Sequence, residues 1–579
     1  MNILGIHYGH TSGAALFVNN NLVASVSEER FTKNKNEMNF PINSINFCLK
    51  HIDKKPDLVC IANKQFFYED YLNQTYSISK EQDILIQEKY YYPLFYKGKK
   101  NKIHKILRPN RYQFPKYYWQ NSPNNKSCVE FTKDIKKIVS KEVGIDLAKV
   151  SNIEHHKCHA NYCYYSSPFK KGKSLIFTID GAGDYGINAT ISLGNNGKLT
   201  RFYKSKNFFL GRIYSYITLL MGMKRLEHEY KIMGLAPYGK NKFDPDVYKT
   251  FKECLSLDGY KVKFNKKPKD AFFHFEKKLK GKRFDTIAYC LQKWVEDMLV
   301  EWISNTVKMK KINKIVMGGG VALNAKAIGK VLEIKGITSA WIPGVAGDES
   351  NCIGAAVEGI QKEKFFDLKS LYFGSDADIG ETSFIKKIKN NRKKYRVINY
   401  DSKKASQMLA DGKVFGRCVG RMEFGPRSLG NRAIIANPKN FEIKKKINSM
   451  IKQRDFWMPF APTVLDKFSK YYLVNTKKFS TPFMSVAYKT TKNGYKNLKA
   501  ACHDADYTAR AQILFKKNNP EYYNLIESFS QITNCGALLN TSFNLHGSPV
   551  IQNLNDALYV LNNSGLDGLI TKNFIILKK

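Results

Sequence analysis

The chain has 579 residues, 43% of them hydrophobic and 25% charged, with 94 Lys and Arg against 50 Asp and Glu for a formal net charge of +44. Those fractions suit a globular protein of two to four domains and exclude collagen-like, coiled-coil and disordered classes. The 11 cysteines contain no CxxC pair, no run approaches 18 apolar residues, and the start MNILGIHYGHTSG has no basic leader region. A disulfide scaffold, a zinc ribbon, a membrane span and a secretory signal are therefore not expected, and the expected setting is the reduced cytoplasm.

Residues 3–6 read as a short buried strand, residues 9–13 as a polar turn, and residues 14–18 and 22–26 as two further strands of a meander. His10 lies in that first turn. An imidazole, with a reference pKa near 6.5, suits proton abstraction from a hydroxyl, and the structural alternative is a turn histidine bonded to backbone. Between Lys64 and Gln120 the chain is dense in Tyr, Phe and Lys without a clean period, the mark of an insertion. In His155-His156-Lys157-Cys158-His159, a helix would place His155 and His159 on one face, able to present two imidazoles to one metal. Residues 174–178 form a strand ending at the turn Asp180-Gly181-Ala182-Gly183-Asp184, followed by two more strands around Asn195-Asn196-Gly197. The layout repeats that of the first 27 residues, as in the duplicated halves of the actin-like and sugar-kinase superfamily.

Further on, residues 314–316 are a strand that enters Gly318-Gly319-Gly320 and then Asn324, a glycine-rich turn opening a helix. Asp348 follows in PGVAGDE. Asp180 and Asp348 both stand where glycines let a strand end approach a ligand, and both are equally readable as turn residues. From 367 to 379 apolar density falls, which divides the chain into 1–370 and 371–579. The second part carries the string GRMEFGPRSLGNR with Arg427 and Arg432, then Lys452 and Arg454, then Arg510 and Asn540. Cations among glycine turns make a phosphate or pyrophosphate site, because Arg offers paired donors and Gly admits backbone N–H groups. No GxxxxGK[ST] loop is present. The lysines of FYKGKKNKIHK, KKPKD and KKLKGKRFD look scattered, with no nucleic-acid-binding motif beside them. The sequence pI of 9.6 is therefore read as compositional drift before a nucleic-acid surface.

Taken together, GHTSGAA, EERF, the histidine string, TIDG, EYKIMGLAPYG, GGGVALN, GD at 347–348, GRMEFGPRSLGNR, PFAP, DYTAR and NTSFN resemble the NodU/CmcH-type carbamoyltransferase family. The resemblance implies an actin-like/sugar-kinase N-terminal lobe with duplicated halves and a YrdC-like α/β C-terminal lobe. By it, the second lobe makes carbamoyl adenylate from carbamoyl phosphate and ATP, with Mg(II), using Arg427, Arg432, Lys452, Arg454, Arg510 and Asn540. The first lobe transfers the carbamoyl group to a hydroxyl on a small molecule or glycan. There His155, His159, Asp180 and Asp348 hold Fe(II) or a similar divalent metal, and His10 acts as base. Gly181, Lys231, Gly318, Gly319, Gly320 and Asn324 line the adenylate. A homodimer is allowed for and nucleic acid is not expected as a partner. The chain departs from the family pattern at Thr11 (usually Asp), Met458 (usually Arg), Tyr507 (usually Gly) and His503, which is one residue out of step. The alternatives are a tRNA-modifying threonylcarbamoyl transferase and a nucleotide-binding protein with impaired catalysis.

Overall fold

A computed structural model of the chain describes residues 1–66, 79–99, 128–361, 363–391, 393–452 and 454–579. Most of the expected insertion at 64–120 lies outside the described residues. The chain divides into two compact units, Met1–Asp367 and Leu368–Lys579.

In the first unit, β1 (Asn2–His7), β2 (Gly13–Val18), β3 (Asn21–Ser27), β4 (Leu58–Ala62) and β5 (Val150–Ile153) form one sheet in the order β3-β2-β1-β4-β5. β1 pairs antiparallel with β2 and parallel with β4. A second sheet is built from β6 (Lys173–Ile179), β7 (Ala189–Asn195) and β8 (Lys198–Ser205). After a small hairpin of β9 (Leu255–Asp258) and β10 (Lys261–Phe264), it is completed by β11 (Lys314–Gly318) and β12 (Ser339–Trp341). Its order, read from the other edge, is β8-β7-β6-β11-β12, with β6 antiparallel to β7 and parallel to β11. Strand order and sense thus match element for element, and the first unit is a duplicated, actin-like α/β fold. The repeat follows from the sequence: each half opens with a strand buried at all but its first residue, then returns through a hairpin, and crosses over to parallel strands through helices.

Two helices fill the centre. The helix His155–Tyr165 is buried at all but one of its positions, and the helix Asn351–Gly359 lies against both it and β1. Glycine makes that double contact fit. A Cβ on Gly354 would stand 1.9 Å from the Cys158 carbonyl oxygen, and one on Gly5 would stand 1.9 Å from that of Cys352. Neither neighbour can retreat, because each is backbone within a helix. The described part of the insertion, with helices Lys80–Ile86 and Tyr92–Lys97, places Ile84 against Tyr216, Leu219 and Phe272. Asp83 anchors it by accepting from Arg225 Nε at 2.8 Å.

The second unit is an eight-stranded mixed sheet with helices packed on it. In spatial order its strands are Tyr395–Asn399, Phe574–Lys578, Gly568–Ile570, Phe415–Cys418, Arg432–Ala436, Ala537–Ser542, Ala461–Leu465 and Gln512–Leu514. Its core runs through Val414, Ile434, Ala436, Leu539, Leu569 and Ile576, all fully buried.

Because Gly354 touches the histidine helix through backbone alone, Gly354→Ala is expected to cost about 1–3 kcal/mol of stability by overpacking. A thermal melt of the variant beside the wild type checks this.

Candidate metal centre

Local chemistry fixes where the histidine helix starts. The Glu154 carboxylate accepts the backbone N–H groups of His156 and Lys157 at 3.0 Å each, and the Asp184 carboxylate accepts that of His155 at 2.8 Å. Both anions sit at the positive end of the helix, satisfying donors that have no intrahelical partner. Asp184 also accepts from Lys64 N at 2.8 Å and Gln65 N at 2.9 Å, tying the segment after β4 to the same point.

With the start fixed, His155 and His159 share one face. His155 Nδ1–H donates to Asn63 Oδ1 at 2.9 Å, which leaves the Nε2 lone pair facing inward. His156 points the other way. Its Nδ1 accepts from the Thr178 hydroxyl at 2.8 Å and its Nε2–H donates to the Ile187 carbonyl at 3.0 Å. Burial, with both neighbouring imidazoles adding to it, keeps its pKa far below the usual histidine value. It is a core histidine.

Asp180, directly after β6, and Asp348, at the start of a short helical turn, converge on the other two. The Nε2 atoms of His155 and His159 are 3.2 Å apart, Asp180 Oδ2 is 3.4 Å from His159 Nε2, and Asp348 Oδ1 is 3.2 and 3.4 Å from the two imidazoles. One donor atom from each of the four residues lies within 4.8 Å of all the others. Asp180 is held by Gly320 N and Gly181 N, each donating at 2.6 Å. Asp348 Oδ1 is buried and makes no aligned hydrogen bond, so its lone pairs face the centre of the group. Burial opposes charge here, yet the carboxylates of Asp180 and Asp348 raise His159 to about 9. The imidazoles in turn hold Asp348 far below the usual carboxylate range against burial. Two acids and two imidazoles brought this close need a proton or a cation among them. Two nitrogens and two carboxylate oxygens are a donor set that suits Zn(II), Fe(II) or Mn(II).

His10 lies in the turn after β1. His7 Nε2–H donates to the His10 carbonyl at 2.9 Å. Burial lowers His7 to about 4 against the opposing pull of Asp348, so it is neutral. Of the residues expected to line an adenylate, Gly318, Gly319 and Gly320 close the loop after β11 onto Asp180. Gly319 has φ +88° and donates to the Ala346 carbonyl at 2.8 Å. Asn324 caps the helix Ala325–Glu333 and exchanges hydrogen bonds with Gln292 at 2.9 and 3.0 Å, so its amide is engaged with protein. Lys231 lies on the helix Glu229–Leu235.

In the second unit the motif cations separate into two sets. Arg432 donates to the carbonyls of Gln552, Val419, Asn431 and Ser375 between 3.0 and 3.2 Å. Lys452 Nζ donates to the Ser542 carbonyl at 2.5 Å and to Asn544 Oδ1 at 2.7 Å. Both hold loops together. Arg510 is different. Burial, and then the charges of Arg427 and Arg454, push its pKa well below the arginine value, and its Nε is buried without a hydrogen bond. Asn540 Oδ1 and Ser428 Oγ are also buried without one. Arg454 donates to Thr541 Oγ1 at 3.2 Å and lies over the Phe460 ring. Arg510 is thus a buried guanidinium in the field of two others. Met458, in place of the family's arginine, is buried.

The comparisons with known proteins agree along the length of the chain. Residues 2–357 match the family described as Carbamoyltransferase N-terminus and residues 406–578 match Carbamoyltransferase C-terminus. The chain belongs to the carbamoyltransferase family. It is 29% identical over 631 aligned positions to the uncharacterised protein MJ1058 of Methanocaldococcus jannaschii, covering 100% of this chain and 99% of that one. To nodulation protein NolNO of Sinorhizobium fredii it is 26% identical, with 98% and 79% covered. To the 3'-hydroxymethylcephem-O-carbamoyltransferase of Streptomyces clavuligerus it is 23% identical, with 58% and 62% covered. Component A of the Acidaminococcus fermentans (R)-2-hydroxyglutaryl-CoA dehydratase aligns at 14% identity with a TM-score of 0.31, over 62% and 96% of the two chains. The chain is thus a transferase of the carbamoyltransferase family.

Sequence reasoning missed Asn63, Glu154 and Asn351, whose Nδ2 lies 3.4 Å from His159 Nε2. Only Glu154, an acid directly before the histidine string, carried a readable capping signal.

Two outcomes follow. Below about pH 9 the free His159 imidazole carries a proton that a bound cation must displace. Apparent affinity for Zn(II) is therefore expected to rise about tenfold per pH unit from 7 to 9, with proton release visible by calorimetry in buffers of differing ionisation heat. Arg510→Met is expected to raise the melting temperature without ligand, because it removes a buried, repelled charge, and to abolish the further rise that inorganic phosphate gives the wild type.

Proposed function

We propose that the protein is an ATP-dependent O-carbamoyltransferase. The second unit makes carbamoyl adenylate from carbamoyl phosphate and ATP, and the first unit passes the carbamoyl group to a hydroxyl of a small molecule or glycan. The observation that carries this reading is the convergence of His155, His159, Asp180 and Asp348 within 4.8 Å.

In the first half-reaction, Arg427, Arg454 and Arg510 offset the charge of carbamoyl phosphate and the nucleotide phosphates, which would otherwise repel each other. Water takes the phosphoryl group, and the carbamate oxygen left behind attacks the α-phosphorus and expels pyrophosphate. In the second, the His10 imidazole accepts the proton of the acceptor hydroxyl as its oxygen attacks the carbamoyl carbon, and AMP leaves. A divalent ion such as Fe(II) held by the two imidazoles and two carboxylates would supply Lewis-acid polarisation of the carbamoyl oxygen, and Mg(II) would accompany ATP. The glycine loop 318–320 keeps Asp180 oriented toward the other donors through the Gly320 N–H. Exclusion of water matters because an acyl adenylate hydrolyses readily.

The test is incubation with carbamoyl phosphate, ATP and a panel of hydroxyl compounds, read by mass spectrometry for a carbamoyl increment. His155→Ala and Asp180→Ala are expected to lower transfer by about a thousandfold or more while carbamoyl-phosphate-dependent ATP–pyrophosphate exchange persists. Arg510→Ala is expected to stop exchange. Loss of both activities in a well-folded Asp180→Ala protein would refute the two-site scheme.

A further inference from the structure

Two surface loops of the first unit end in the same way. Lys240-Asn241-Lys242-Phe243 follows the EYKIMGLAPYG string, and Lys280-Gly281-Lys282-Arg283-Phe284 leads into the long helix Phe284–Lys310. Every residue of both strings is exposed, and the phenylalanines are 43% and 54% exposed. The sequence alone makes these lysines look scattered, but the fold brings them together. Thr286 Oγ1–H donates to the Lys242 carbonyl at 2.8 Å, Lys282 Nζ reaches Asp244 Oδ2 at 2.8 Å, and the Phe243 ring meets Tyr289 edge-on at 6.1 Å. A Cβ on Gly239 would stand 2.0 Å from the Asp285 carbonyl oxygen, so only glycine there lets the first loop close on the second.

The charges around the two rings are unequal. Asp244 is paired with Lys282 and Asp285 with Arg283, both within the loops. Among the described residues, Lys240, Lys242 and Lys280 have no carboxylate partner, and Lys277 and Lys278 are exposed beside them. Asp246 and Glu276 are the exposed acids nearby. Exposed aromatic side chains edged by cations match the chemistry of a lipid headgroup layer. The rings enter the boundary between headgroup and acyl chain, and the ammonium groups meet phosphates. A net charge of +44 draws the whole chain toward an anionic surface. No helix among the described residues is long and apolar enough to cross a membrane, so contact of this kind is peripheral.

We propose that the paired loops 240–243 and 280–284 dock this protein reversibly on an anionic phospholipid bilayer. Co-sedimentation of the full chain with phosphatidylcholine vesicles, with and without phosphatidylglycerol, tests it. Binding is expected only with phosphatidylglycerol and is expected to weaken with added salt. The double variant Phe243→Ser/Phe284→Ser is expected to bind about tenfold more weakly. Lys240→Glu/Lys242→Glu/Lys280→Glu is expected to remain in the supernatant. Circular dichroism melts confirm that the variants fold. Phe284→Ser alone, whose ring is the more exposed, serves if the double variant does not fold. Wild type that stays in the supernatant overturns the proposal. So does a serine variant that sediments like the wild type, since that would be plain adhesion of a basic protein.

Discussion

Two carboxylates with no part in the proposed chemistry, Glu154 and Asp184, decide what the first unit can do. Between them they accept the first three backbone N–H groups of the histidine helix. An α-helix turns about 100° per residue, so a start displaced by one position would swing His156 into the place of His155. The two-imidazole face exists only because that register is pinned. Glu154 is steadied in turn by Arg201, and Asp184 by the two N–H groups after β4. The constraint reaches both sheets: β5 feeds the helix, β6 and its loop supply Asp180 and Asp184, and the Gly354 contact holds the helix from behind.

The two candidate sites pose opposite electrostatic problems. In the first unit, two carboxylates are gathered around two imidazoles, so a cation stabilises the group at any pH where the imidazoles are neutral. In the second unit, Arg510 is buried within the field of Arg427 and Arg454, and a bound anion would offset that repulsion. Each site carries a charge imbalance that its proposed ligand cancels. Polar atoms without a hydrogen bond, Arg510 Nε and Asn540 Oδ1 in the second unit, are costly in a finished fold and intelligible in a site that fills.

How much of this the sequence could reveal depended on what each residue's role required. The duplicated strand layout was legible because buried strands and glycine turns leave a direct pattern. The shared face of His155 and His159 was legible because i,i+4 spacing on a helix is local geometry, whereas Asp180 and Asp348 read equally well as turn residues and joined the set only through the family resemblance. The division among the arginines was not. Arg427 and Arg432 sit in the same glycine-rich string, yet Arg432 is spent on four backbone carbonyls that come from Gln552, Val419, Asn431 and Ser375. Nothing in the spacing shows which carbonyls will close around a guanidinium. Glu423 adds to this: its carboxylate accepts the N–H groups of Leu429, Asn431 and Arg432, shaping the loop from a distance of six to nine residues.

The turn that carries His10 shows why a departure from family pattern can be tolerated. Thr11 has φ 60°, a left-handed conformation that a β-branched residue adopts at a cost of about 1–3 kcal/mol. Local bonding holds it there. The Thr11 hydroxyl donates to the His10 carbonyl at 2.5 Å, His7 Nε2–H donates to the same oxygen, and Ser12 N–H reaches the Glu37 carbonyl at 2.8 Å. Three hydrogen bonds from three directions leave His10 little freedom of backbone movement. Neutral His7 is what makes this arrangement stable, because a charged imidazolium in its place would be buried with only one partner. Burial of His7 therefore does for the turn what Glu154 and Asp184 do for the helix. A side chain with no part in the proposed chemistry spends its hydrogen-bonding capacity on backbone, and the segment that carries a candidate site residue is held in place.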